Sequence, residues 1–254
     1  MTFRPYVAKD RFFGDFRFDF LIENETGQSW YDGSPNQWMP ERAWCVSQLR
    51  PGMTVVDCGA HHGMLSVIFA NAVGSAGRVI AYEALPGNAA VAQQNAKLNH
   101  LSNIAVRPVG IGDAPASVPV LFNASNTVVM QGHEAPAGTN SQVIQIVRLD
   151  DDLDPAIHVD FIKIDVEGHE LSALRGMRRV LAQRPIIDLE LHNFIFGAKL
   201  STLRDIFAIL DPLQYSWHLL SEIGETPIDI GSRLDVQQLA AFDNPHLFGI
   251  PVPL

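Results

Sequence analysis

The sequence predicts an open α/β sheet of the doubly wound kind, and three stretches carry that prediction. Val55-Val56-Asp57-Cys58-Gly59-Ala60-His61-His62-Gly63 leads β-branched residues into an acid and two glycines, and an apolar helical pattern follows from Leu65 to Ala72. Arg78-Val79-Ile80-Ala81-Tyr82-Glu83 is a short apolar strand ending in an acid. It comes about 20 residues after the glycine turn, where such folds place the carboxylate that accepts ribose hydroxyls. Asp160-Phe161-Ile162-Lys163-Ile164-Asp165 is a buried-strand pattern that opens into the polar turn Val166-Glu167-Gly168-His169-Glu170.

Composition bounds the function. A chain of 254 residues can bury a large core as one domain with small additions. Hydrophobic content of 47% against 18% charged marks it as globular. The net charge of −10, from 18 basic and 28 acidic residues, argues against a nucleic-acid or membrane partner. Cys45 and Cys58 form neither a disulfide framework nor a zinc spacing and read as reduced, buried thiols. No segment resembles a membrane span of roughly 18 residues or a signal peptide, so a cytoplasmic location is expected.

The elements follow in chain order. Phe16-Arg17-Phe18-Asp19-Phe20 alternates with period two and reads as a half-buried strand. Glu23 to Gly27 reads as a turn and Gln28 to Tyr31 as the return strand. The aromatic crowd there serves core packing ahead of a substrate wall. Asn36 to Leu49 reads as a helix stopped by Arg50-Pro51-Gly52. Residues 1–50 are thus an N-terminal β-hairpin and helix extension, and 51–254 form the ligand-binding domain.

Pro86-Gly87-Asn88 opens a helix from Ala89 to Asn99. Ile104 to Ile111 is the next strand, with Pro108 awkward in its middle. Gly112 and Asp113 end it and are expected to edge an adenine pocket. Ser117 to Phe122 and Gln142 to Val147 read as strands around the Asn123–Asn140 loop, whose length favours a lid or substrate loop. Leu171 to Leu181 is a helix with Leu171, Leu174, Met177 and Leu181 on one face. Pro185 to Leu191 is a strand running into Glu190-Leu191-His192, with Glu190 and His192 on one face. Two neighbouring strands therefore bring carboxylate and imidazole to one rim.

These residues together resemble a known family. Val56 to Gly63, Tyr82-Glu83-Ala84-Leu85-Pro86, Asp160 to Glu170 and Glu190-Leu191-His192 are similar to the FkbM family of S-adenosylmethionine-dependent methyltransferases. Lys163 to Glu170 is the most specific part, and Ala84 departs from a frequent proline. The resemblance covers about Val55 to Asn193. It implies a Rossmann-like class I methyltransferase fold, with a seven-stranded, mostly parallel sheet whose last strand is antiparallel. Tyr215–Ser221 and His246–Val252 are expected as the final hairpin, preceded by a Leu200–Leu210 helix.

The expected cofactor is S-adenosylmethionine, a sulfonium bearing adenosine and an amino-acid end. Glu83 fits its ribose. The N–H groups of the Gly59–Gly63 turn, with the Ser66 hydroxyl, fit its carboxylate. Asp57 holds the amino-acid end or fixes the loop, and Asp165 lies near the ammonium or the methyl. Methyl transfer to a hydroxyl needs positioning and a base. The candidates are His169, placed first because its turn faces the crevice, and His192, with Asp165 and Glu190 beside them. Asp165, Glu167, Glu190 and His192 would also suit a magnesium-like ion, so metal dependence stays open.

The expected activity is O-methylation of a hydroxyl on a small molecule, natural product or sugar, by a monomer or homodimer. The alternatives are N-methylation of a small amine, an NAD-dependent oxidoreductase, and a non-catalytic nucleotide-binding or scaffold protein. The missing middle glycine argues against NAD, and the intact pocket residues argue against the scaffold.

Overall fold

Thr54 to Cys58 is buried at every position, as a strand covered on both faces must be, and the sheet is built outward from it. The computed structural model describes residues 3–33, 39–123, 126–128, 140–222 and 224–253. The chain begins with an antiparallel hairpin of β1 (Tyr6–Phe13) and β2 (Phe16–Ile22). Phe18 and Phe20 face inward and Arg17 outward, as the period-two pattern requires. The inner face packs on Met64, Val67 and Ile68 of the Met64–Val73 helix.

The expected return strand, Gln28 to Tyr31, is helical instead. The Asn24 side chain accepts from Gly27 N at 2.9 Å and starts a helical turn, which continues as a π-type turn over Gln28–Gly33. The partner of β2 is the preceding β1. The next helix spans Met39–Gln48; the start expected for it, residues 36–38, lies outside the described residues.

Two asparagines tie the hairpin to the Pro86–Leu98 helix. Asn95, fully buried, accepts from Leu21 N at 2.6 Å and donates to His62 O at 2.9 Å. Asn99 accepts from Asp19 N and donates to Asp19 O. Removing a buried side chain that satisfies backbone groups costs about 1–3 kcal/mol for each group left unpaired. Asn95→Ala is therefore expected to lower unfolding free energy by roughly 2–3 kcal/mol, read as a shift in the urea midpoint at unchanged slope.

After β3 (Thr54–Cys58) come β4 (Arg78–Tyr82) and β5 (Ile104–Arg107). Pro108 ends β5, and the chain resumes as β6 (Gly110–Ile111) in another sheet. That second sheet has the order β6-β9-β7-β8, with β7 (Ala116–Asn123), β8 (Asn126–Val128) and β9 (Asn140–Val147). Part of the expected Asn123–Asn140 loop is thus β8, and residues 124–125 and 129–139 lie outside the described residues. The main sheet then gains β10 (Phe161–Ile164), β11 (Ile186–Glu190), β12 (Tyr215–Leu220), β13 (Ile228–Gly231) and β14 (His246–Pro251).

Its order is β13-β12-β14-β11-β10-β3-β4-β5. Strands β5, β4, β3, β10 and β11 are parallel, and β14 inserts antiparallel between β11 and β12. Among the described residues the sheet has eight strands where seven were expected. The extra strand, β13, comes from the segment between β12 and β14 and pairs with the outer edge of β12. The helix expected from Leu171 to Leu181 is two, Glu170–Arg175 and Arg178–Leu181. The chain breaks at Gly176, where a Cβ would lie 1.9 Å from Gly112 O, so the turn exists to let another backbone cross. Lys199–Leu210 supplies the last long helix. Strand order reverses between β3 and β10, so the crevice at their C-terminal ends is where an open sheet binds ligands. Among the described residues no helix is long and apolar enough to cross a membrane.

Candidate active site

A cavity of about 670 Å³ opens at that crevice. Asp57, Gly59 and Glu83 line it from β3 and β4, Gly112 and Asp113 from the end of β6. Asp165, His169, Glu190 and His192 line it from the mouths of β10 and β11. Gly63 and Ser66 do not. Gly63, at φ +82°, lets the Met64–Val73 helix approach Ala92, which a Cβ would meet at 3.0 Å. Ser66 donates its hydroxyl to Asp57 Oδ2 at 2.5 Å and so fixes that acid rather than a ligand.

In the backbone cradle expected at the glycine turn, four N–H groups are taken up by the protein itself. Gly59 N and Ala60 N donate to Tyr82 O, His61 N to Glu83 Oε2 and Gly63 N to Ala60 O. Gly59 instead serves a close approach. Its φ is +92°, and a Cβ there would sit 1.6 Å from Asp165 O, which brings the mouths of β3 and β10 together.

Glu83 is buried and accepts from His61 N at 2.8 Å, Leu85 N at 2.9 Å and Asn88 Nδ2 at 3.3 Å. Burial outweighs these bonds and lifts its carboxyl to about 7. Asp57 keeps Oδ1 buried without a hydrogen-bond partner among the described residues.

Lys163 was not singled out from the sequence, yet it stands at the centre. Its register partners are Asp57 on β3 and Asp188 on β11, which makes a charged row across three strands. Its ammonium donates to Asp165 Oδ2 at 2.8 Å and is 3% exposed. Burial lowers its pKa, and Asp165 with the neighbouring acids outweighs burial and raises it. A lysine inside an otherwise apolar buried strand was the available signal, because it must be paired.

His192 and Glu170 form the most ordered pair. Glu170 is fully buried and lies 2.7 Å from His192 Nδ1. His192 Nε2 then faces Glu167 Oε2 at 3.4 Å, Glu190 Oε1 at 3.7 Å and Asp165 Oδ1 at 3.8 Å. Burial disfavours the imidazolium, but the Glu170 bond and the charges of Glu190 and Asp165 outweigh it and lift His192 to about 9. His169 lines the cavity at the start of the Glu170–Arg175 helix; burial lowers its pKa, and no described hydrogen bond orients its ring.

The N-terminal segments close the other side. Trp30 and Tyr31 line the cavity, and Tyr31 Oη sits 2.7 Å from His61 Nδ1. Arg42 is buried and also lines it. The aromatic segment therefore divides its roles, with Phe18 and Phe20 in the core and Trp30 and Tyr31 on the cavity wall. Two groups of side chains have metal-ligand spacing among the described residues: Asp165, Glu190 and His192, and Glu41, Asp188 and His246.

Several solved structures are similar to the chain. An rRNA methylase from Streptococcus thermophilus aligns with a TM-score of 0.50 at 9% identity, over 84% of this chain and 95% of its own. An O-methyltransferase from Bacillus cereus in complex with SAH gives 0.47 at 14% identity, over 87% and 83%. A SAM-dependent O-methyltransferase from Thermotoga maritima gives 0.47 at 12%, over 94% and 76%. At 9% identity the first of these speaks only to the fold. No curated protein matches the chain. The sequence pattern of the methyltransferase FkbM domain matches residues 57–216, from Asp57 on β3 into β12. That match spans more than half of the 254 residues; the chain belongs to the FkbM family and is an S-adenosylmethionine-dependent methyltransferase.

Proposed function

We propose that the chain methylates a hydroxyl of a small-molecule or sugar acceptor, with His192 as the general base and Glu170 orienting it. The carrying observation is the buried 2.7 Å contact between Glu170 and His192 Nδ1, which aims Nε2 into the cavity. His192 thereby takes precedence over His169. The NAD-dependent and scaffold readings fall with family membership.

The cofactor fits the residues present. Asp57 Oδ1, buried and unpaired among the described residues, matches an ammonium. Glu83 matches the ribose diol, and Gly112 and Asp113 the adenine edge. With the N–H groups of Gly59, Ala60, His61 and Gly63 committed within the protein, the Arg42 guanidinium is the cation for the carboxylate. S-adenosylmethionine supplies an electrophilic methyl on a sulfonium that departs as a neutral thioether. The chain aligns the acceptor oxygen with it, and His192 Nε2 takes the hydroxyl proton as the carbon–oxygen bond forms. Asp165, Glu167 and Glu190 surround that nitrogen with acceptors for further hydroxyls, which suits a polyol. The same acids suit an ammonium, and that is what favours an amine acceptor as the second reading.

Calorimetric titration with S-adenosylmethionine and S-adenosylhomocysteine, with NAD as control, tests the cofactor half. Micromolar binding of the first two alone is expected. A screen of sugar, phenolic and amine acceptors then tests the other half, and turnover confined to amines would overturn the hydroxyl assignment.

A further inference from the structure

Another group of ionisable side chains reaches the cavity wall at Glu41 and has no part in the reaction above. Glu41 comes from the Met39–Gln48 helix, Asp188 from β11 and His246 from β14; they are 4%, 0% and 1% exposed. Glu41 Oε1, Asp188 Oδ1 and both ring nitrogens of His246 are buried without a hydrogen-bond partner among the described residues. Each such atom costs about 1–3 kcal/mol, so a cluster of them points to something that satisfies them together.

The spacing says what that is. His246 Nδ1 lies 3.6 Å from Asp188 Oδ1 and 4.0 Å from Glu41 Oε1. N–H···O bonds end near about 3.2 Å. Ligands sharing one ion at about 2.0–2.2 Å stand roughly 3–4 Å apart. Charge agrees: Glu41, Asp188 and Glu190, the last 3.5 Å from His246 Nε2, outnumber the buried Lys163 ammonium they face, so an interior that penalises net charge favours a further cation.

We propose that Glu41, Asp188 and His246 bind one divalent transition-metal ion of the zinc type. An imidazole nitrogen with two carboxylate oxygens favours zinc or a similar ion over calcium and magnesium, which prefer oxygen alone. Cys45, one turn after Glu41, donates its thiol to Asp188 Oδ2 at 3.4 Å, an outer contact that orients a ligand. Glu41 lines the cavity and gives the ion an entry path. The ion pins the Met39–Gln48 helix to β11 and β14, and with it the wall that carries Arg42. The competing arrangement is an imidazolium held among acids, since His246 Nε2 also lies 3.5 Å from Glu190 Oε2.

The test uses the full chain, stripped by dialysis against a chelator and titrated with cobalt(II), whose visible bands report a nitrogen- and oxygen-ligated site. Thermal melting with and without zinc(II) is the second readout. One equivalent of cobalt, displaced by zinc, and a zinc-dependent rise in Tm are expected. Asp188→Asn and His246→Asn lose both. Glu41→Gln, which removes a ligand charge as Asp188→Asn does, loses both as well. Far-ultraviolet circular dichroism of each variant reports whether it is folded. His192→Asn keeps the cobalt spectrum, because its imidazole belongs to the other group. Absence of stoichiometric metal binding by the native chain overturns the proposal in favour of the imidazolium. Loss of cobalt in His192→Asn with retention in His246→Asn overturns it by placing the ion elsewhere. Neither readout depends on the methyl acceptor.

Discussion

Replacing His192 by asparagine is expected to lower kcat by about 10²–10⁴-fold and to leave the affinity for S-adenosylmethionine within a factor of about two, because the affected groups lie at the acceptor end. Asparagine can still accept a hydrogen bond but has no basic nitrogen. The Nδ1 contact to Glu170 holds the ring so that Nε2 meets the acceptor. Glu170→Gln keeps the size and removes the charge. It is expected to reduce kcat by a smaller factor and to lower the apparent pKa of the base, a shift that a merely structural glutamate would not cause. His169→Asn serves as the comparison, and a loss in kcat matching that of His192→Asn would overturn the assignment.

The pH dependence follows from the same carboxylates. A general base works unprotonated, and His192 is held at about 9 in the free site. Below that value most of the enzyme carries the imidazolium. The rate therefore climbs about tenfold per pH unit between roughly pH 7 and 8 and levels off above about 9. In kcat/KM the midpoint is expected near 9 for the native chain and lower for Glu170→Gln. A profile flat from pH 6 to 9 would remove His192 as the base.

The legible parts of the sequence were those carried by short spacing. Asp57, Gly59 and Glu83 reach one cavity because a strand, a tight turn and a parallel neighbour place them there. What stayed hidden depended on partners far along the chain. Glu170 reads as one of four ionisable groups facing the crevice mouth, yet it is fully buried beneath His192, 22 residues later, and does not line the cavity. The row Asp57–Lys163–Asp188 exists only once β3, β10 and β11 take their register. The glycine turn gave the right place and the wrong chemistry, since spacing cannot tell that Tyr82 O already holds the Gly59 and Ala60 N–H groups. The π-type turn at Gln28–Gly33 and the break at Gly176 follow from one side-chain cap and one backbone crossing, each outweighing an otherwise sound periodicity.

Glu83→Ala is expected to weaken S-adenosylhomocysteine binding by about 10²–10⁴-fold, the equivalent of two hydrogen bonds to a charged acceptor at about 1.5–3 kcal/mol each. The loss alone is ambiguous. Glu83 also receives His61 N and Leu85 N, so the substitution frees two donors and loosens the turn between β3 and the Met64–Val73 helix. A ligand lacking the ribose 2′-hydroxyl separates the two causes. If the carboxylate binds the diol, the native chain discriminates against the deoxy ligand and Glu83→Ala does not, so the two losses fall short of additive. If Glu83 only shapes the loop, the variant weakens both ligands equally and the native preference for the hydroxyl survives. The pH dependence gives an independent check. Glu83 sits at about 7 in the free protein because burial disfavours its charge. A carboxylate that accepts from the diol binds better when ionised, so affinity rises with pH through about 7 in the native chain and loses that step in Glu83→Ala.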